Sequence, residues 1–110
     1  MKSYTDLEQS KKLTEILPLE SADMYYVGGS KIPDVMYGCK QDYRCYTICW
    51  SIAALLNILP DGTNVIKDKS DTENEKYMCV AESKDDIIST FGNNPVDACY
   101  QMVIKLKETT

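Results

Sequence analysis

Ile52, Leu55, Leu56 and Leu59 stand at i, i+3, i+4 and i+7, and Pro60-Asp61-Gly62 follows at once. This is the stripe of a helix buried along one side and closed by a turn, with Ser51 ahead of it as N-cap. A helix this short gains its stability from packing, so the rest of the chain must supply the opposite wall of a core. The 110 residues, 44% of them hydrophobic, leave room for one such core, and 1–110 reads as a single domain.

The opposite wall is written in the last third of the chain. Residues 76–82 alternate, with Tyr77, Cys79 and Ala81 on one face and Met78 and Val80 on the other. Residues 86–91 repeat the pattern, Ile87, Ser89 and Phe91 opposing Ile88 and Thr90, and Ser83-Lys84-Asp85 turns the chain between them. Residues 64–67 make a weaker strand, parted from the next by a polar, acidic loop over 68–74. Gly92-Asn93 ends the run of strands. Asn94 then caps a helix with Pro95 first and Asp97 third, both suited to its free N–H groups and dipole. Val96, Cys99, Val103 and Leu106 form the inward stripe, extended by Tyr100 and Ile104, and Lys105 and Lys107 suit the C-terminal end.

The first half is less regular. Residues 5–17 predict a helix with a Thr5-x-x-Glu8 capping box, an apolar side of Leu7, Leu13, Ile16 and Leu17, and Pro18 as its stop. Met24-Tyr25-Tyr26-Val27 reads as a short strand closed by Gly28-Gly29, residues 30–42 as a loop, and 43–48 as another short strand. The order α-β-β-α-β-β-β-α predicts a two-layer α+β fold. Its C-terminal strands form a three-stranded antiparallel meander, with the last helix across one face.

Much chemistry is excluded by residue type. With no histidine, Ser-His-Asp and Cys-His nucleophilic arrangements and the common catalytic zinc sites have no basis. Phosphate-loop and dinucleotide motifs are missing, and Gly28-Gly29-Ser30-Lys31 is too short to stand for one. Cys39, Cys45 and Cys49 invite a metal reading, but five and three intervening residues are not ligand spacings. An EF-hand counted from Asp68 would place Glu73 where glycine is required and Cys79 where glutamate is required. The chain therefore reads as neither an enzyme nor a cofactor protein.

Charge and cysteine use place it further. Seventeen acidic residues against twelve basic give a net −5, which disfavours direct binding to nucleic acid. Eleven of the cations are lysine and Arg44 is the lone arginine. Five cysteines, an odd number, and no apolar signal stretch after Met1 fit free thiols and a cytoplasmic protein. No apolar run approaches the ~18 residues that would span a bilayer, so no membrane association is expected.

Three segments carry a resemblance: LTEILPLESADM (13–24), CWSIAALLNILP (49–60) and NNPVDACYQMVIKLKE (93–108). They are similar to a family of uncharacterised hypothetical proteins of gut anaerobes, often encoded in prophages and mobile elements. The resemblance implies no activity; it implies a mobile-element context and, with it, regulatory or anti-defence roles. A weaker likeness joins the C-terminal meander, Gly-Asn-Asn-Pro-Val-Asp-Ala and helix to HicB-like antitoxin domains. The α-β-β-β-α order from Ser51 is also similar to double-stranded-RNA-binding domains, which need lysines where Asn93, Asn94, Pro95 and Asp97 stand here.

Region 23–50 holds six of the ten aromatics, Tyr25, Tyr26, Tyr37, Tyr43, Tyr46 and Trp50, together with Asp23 and Arg44. Tyr, Trp and Arg dominate interaction hot spots, so Asp23, Tyr25, Tyr26, Tyr43, Arg44, Tyr46 and Trp50 form the candidate patch. Two other accounts fit the same composition: rings sent into the core by strand alternation, or a small-ligand pocket. The expected function is a non-enzymatic protein-interaction or regulatory module that binds a protein partner or itself. The alternative is an acidic inhibitor, a charge mimic acting on a nucleic-acid-binding or defence protein.

Overall fold

A computed structural model describes residues 2–27, 32–35, 46–68, 76–83 and 86–108. Helix α1 (Leu7–Ile16) begins one residue later than Thr5-x-x-Glu8 predicts. Asp6 is the N-cap: its carboxylate accepts the Gln9 N–H at 2.8 Å, and Gln9 Oε1 accepts the Asp6 N–H at 3.1 Å. Thr5 is engaged elsewhere. Its Oγ1 accepts the Trp50 N–H at 3.1 Å and shares a hydrogen bond with Ser10 Oγ at 2.8 Å, all of it buried. Leu13 is the fully buried residue of the apolar side, whereas Leu7 is exposed. Leu17 turns extended ahead of Pro18, whose ring disfavours helical backbone in the preceding residue.

A single-turn 3₁₀ helix (Leu19–Ser21) leads into strand β1 (Met24–Val27), which pairs antiparallel with both β2 (Asp34–Val35) and β3 (Tyr46–Cys49). The sheet order is β2-β1-β3. Strand β2 corrects the expected loop and adds one strand to the predicted order; two residues after Pro33 are too few to show alternation in sequence. The N-terminal segment extends this sheet. Tyr4 bridges Ser51, the Thr5 N–H donates to the Trp50 carbonyl at 2.9 Å, and the Ile52 N–H donates to Ser3 at 3.1 Å.

Helix α2 (Ile52–Ile58) is capped as predicted, the Ala54 N–H donating to Ser51 Oγ at 3.2 Å. Leu55 and Leu59 enter the core and Leu56 lies at the surface. The turn that follows puts Gly62 at φ +85°, where any other L-residue is strained. The chain then forms β4 (Asn64–Asp68), β5 (Lys76–Ser83) and β6 (Asp86–Gly92), an antiparallel meander in the order β4-β5-β6, and α3 (Pro95–Glu108) crosses one face.

The β6–α3 junction is tight. A Cβ on Gly92 would stand 2.5 Å from the Ala98 nitrogen, so glycine is required for close approach. Asn94 Oδ1 accepts the Asp97 N–H at 2.9 Å, and Thr90 Oγ1 donates to the Ala98 carbonyl at 2.8 Å. Val96, Ala98, Cys99, Met102 and Val103 of α3 are buried against Tyr77, Cys79 and Ala81 of β5. The same core includes Leu13, Ile48, Trp50 and Leu55, so one apolar cluster joins the two sheets and three helices. The result is an α+β fold with the predicted meander and its covering helix.

Candidate interaction surface

Within the predicted patch, Trp50 and Tyr26 turn inward and Asp23 binds Ser51. Trp50 is buried, with Nε1 donating to Ser21 Oγ at 2.9 Å. Tyr26 is buried and its hydroxyl donates to the Thr5 carbonyl at 2.8 Å, with its ring edge-on to Tyr4 at 6.3 Å between centroids. Asp23 accepts the Ser51 N–H at 2.9 Å and, in a short hydrogen bond, the Ser51 hydroxyl. A carboxylate thus braces the cap of α2. Tyr25 is half-buried in β1. Tyr46 sits in β3 opposite Val27, while Tyr43 and Arg44, like Tyr37, Cys39 and Cys45, lie outside the described residues.

These contacts fit structure better than reactivity. Burial pushes the Tyr26 hydroxyl up to about 12, helped by neighbouring Cys49, Tyr4 and Asp6. Burial, with the Asp23 carboxylate nearby, pushes the Cys49 thiol up to about 12, so at neutral pH it is a protonated, unreactive side chain. Cys79 of β5 and Cys99 of α3 are both buried; a hydrogen bond between the two thiols and their burial push Cys99 up.

A second polar cluster joins the starts of α1 and α3. Lys2 Nζ donates to Asp97 Oδ1 at 2.8 Å, to Gln9 Oε1 at 2.8 Å and to Asp6 Oδ2 at 3.1 Å. Gln9 Nε2 and Asn94 Nδ2 each donate to Asp97, both at 2.9 Å. Burial opposes ionisation of Asp97, but these hydrogen bonds and the Lys2 charge outweigh it and hold the carboxyl below its ordinary range. Every oxygen of Asp97 is occupied by a partner from this chain. Lys2 and Gln9 had no mark in the sequence, because nothing local says that residues 2 and 97 meet.

Among the described residues, a run of open apolar surface lies on the meander face turned away from α3. Antiparallel register places Ile66, Met78 and Phe91 in one row, Asn64, Val80 and Ser89 in the next, and Glu82 beside Ile87 in the third. Ile87 is 72% exposed, Phe91 51% and Ile66 48%, while Met78 and Val80 between them are half-buried. An antiparallel sheet with one solvated face alternates apolar with polar. These strands carry apolar residues at both parities, which places apolar side chains on both faces of the sheet. Beside β6 and continuous with this face runs a groove lined by Thr90, Phe91, Gln101, Ile104, Lys105 and Glu108.

Among the described residues, no helix is long and apolar enough to cross a membrane. Family models, curated proteins and solved structures yield no match to this chain.

Proposed function

We propose that the chain is a non-enzymatic protein-interaction module, acting in the cytoplasm, whose contact surface is the outer face of the meander. The observation that carries this reading is the contiguous Ile66–Met78–Phe91 row with Val80 and Ile87 beside it. Exposed apolar patches of this kind mark places where another macromolecule docks. Fully covering Ile87 and Phe91 contributes about 1–2 kcal/mol each, given how much of each is already shielded. Among the described residues, Asp23, Ser51 and Asp97 are occupied in capping and bracing, which supports a binding role over a catalytic one. A net charge of −5 points to a protein partner and away from a phosphate backbone. The mobile-element likeness bears on the setting, regulatory or anti-defence, and not on the surface.

The test is a triple variant, Ile66→Ser, Ile87→Ser and Phe91→Ser, compared with the parent protein in sedimentation and in capture from the native host. Associations of the parent that persist in 1 M salt and vanish in the folded variant support the apolar face. Associations that survive in the variant but fail in salt, or on neutralising Asp71, Glu73 and Glu75, assign the charge-mimic role instead.

A further inference from the structure

Strands β4 and β6 are the two ends of the meander, and they are finished differently. A sheet edge offers every second N–H and C=O to any strand that approaches, and proteins guard edges with charges, above all charges on the inward face. Strand β4 has such a guard: Lys67 pairs with Tyr77 and so stands on the α3 side of the sheet. In β6 the one charged residue is Asp86, at its very start, and Ile87-Ile88-Ser89-Thr90-Phe91 follows uninterrupted. Among the described residues, the longer edge, which carries the 72%-exposed Ile87, is the one without such a charge.

Resting on the interaction-module reading, we propose that the partner is a second copy of this chain, joined through antiparallel β6–β6 pairing about a two-fold axis at Ser89. A two-fold contact must be self-complementary, residue i meeting j as j meets i. Antiparallel self-pairing about any residue meets that condition, and centring on Ser89 is the register that sets the two exposed apolar residues of β6 against each other. Ser89 faces Ser89 of the other copy, Ile87 faces Phe91, and Phe91 faces Ile87, all on the outer side of a continuous six-stranded sheet. Aromatic–aliphatic cross-strand pairs of this kind are favourable, and no like charges are opposed within the strand. Asp86 falls opposite Gly92.

One strand edge alone does not cover the roughly 1,200 Å² that a stable interface needs. The groove between β6 and α3 supplies more contact, because pairing brings the two grooves to either side of the axis. Its wall carries one cation and one anion, Lys105 and Glu108, so two antiparallel copies meet there without net repulsion. The long-range repulsion between two chains of net −5 is screened by salt, so dimerisation tightens modestly as ionic strength rises.

Cysteine placement tests both the dimer and its register. Residues opposite each other in an antiparallel pair have Cα atoms about 4.5–5.5 Å apart, within the reach of a disulfide. Ser89→Cys therefore cross-links to its counterpart under mild oxidation, and mass spectrometry locates the 89–89 bond above the parent protein's background. Ile87→Cys does not pair with its own counterpart, since the two are offset by about 13 Å along the strands. Sedimentation of the full chain shows a dimer, and Ser89→Lys, which opposes like charges on the axis, weakens it at least tenfold. A dimer that cross-links best at another position overturns the β6 register. A monomer up to about 100 µM with no 89–89 bond overturns self-association. In that case the interaction-module reading survives only if the triple-serine variant still loses a captured protein, and it falls with the dimer if nothing is lost.

Discussion

The sheet β2-β1-β3 and the meander β4-β5-β6 are both three-stranded and antiparallel, and they place their large side chains in opposite ways. Around the first, the described aromatics and polar groups close on one another: Trp50 on Ser21, Tyr26 on Thr5, Asp23 on Ser51. The second covers one face with α3 and leaves Ile66, Ile87 and Phe91 on the other in water. Composition favours the aromatic region as the contact surface; parity and register favour the meander. A tyrosine or tryptophan marks an interface only if its polar end faces outward, and here both Trp50 Nε1 and the Tyr26 hydroxyl are satisfied from within.

The sharpest way to break this contrast is to empty the first region. Trp50→Ala removes a fully buried indole and leaves Ser21 without its donor, at an expected cost of about 3–5 kcal/mol. Leu55→Ala, in the same core, costs about 2–5 kcal/mol. Denaturant midpoints check both, and a loss below about 1 kcal/mol for Trp50→Ala would return that residue to the surface. Gly92→Ala follows in size. Its new Cβ meets backbone atoms of Asp97 and Ala98, which cannot move without shifting α3, so about 1–3 kcal/mol is expected. Wild-type stability in this variant would show that the β6–α3 turn yields.

The helix-terminal cluster tests whether long-range polar contacts add to the closed half. Asp97 has its folded-state carboxyl held below the unfolded value, so its contribution is present above the unfolded pKa and is lost as pH falls through the folded one. Lys2 works at the other end. Burial opposes its charge, but Asp97 and Asp6 raise its pKa overall, so its contribution is lost only as pH rises through the folded value. Between those limits the pair is intact. Asp97→Asn should flatten the acid limb of the stability–pH curve, with little change in its shape near neutrality. An unchanged acid limb would show that the cluster is a surface arrangement without energetic weight.

How much of this was legible follows from the range of the contacts. The caps Ser51 and Asn94 lie within three residues of the N–H groups they satisfy, and the meander's alternation within one strand, so all were readable locally. The α1 cap was ambiguous because Thr5-x-x-Glu8 and Asp6-x-x-Gln9 both fit the box; the buried Trp50 N–H, 45 residues away, claims Thr5 and decides it. The fate of Tyr26 and Asp23 depends on partners 21 and 28 residues distant, which no local pattern reports. The patch over 23–50 rests on ring content, and the meander face rests on strand parity, a different signal in the same sequence. The strand partners of Ile87 and Phe91 were visible in principle, since both lie at the non-core parity of a strand already predicted.

The smallest expected effect on stability is also the one that best separates the two halves. Ile87 is mostly in water and Phe91 about half so, and the folded monomer should lose no more than about 0.5 kcal/mol on Ile87→Ser and about 1 kcal/mol on Phe91→Ser. That comparison has to be made at low protein concentration. If β6 pairs with β6 of another copy, association stabilises the folded state by mass action, and the parent protein's melting temperature climbs with concentration. The serine variants should melt close to the parent's temperature when dilute and fail to climb when concentrated. Equal slopes for parent and variants would mean that the exposed row is inert surface. A large loss already at low concentration would mean that Ile87 or Phe91 packs within its own domain, and the contrast between a closed half and an open half would collapse.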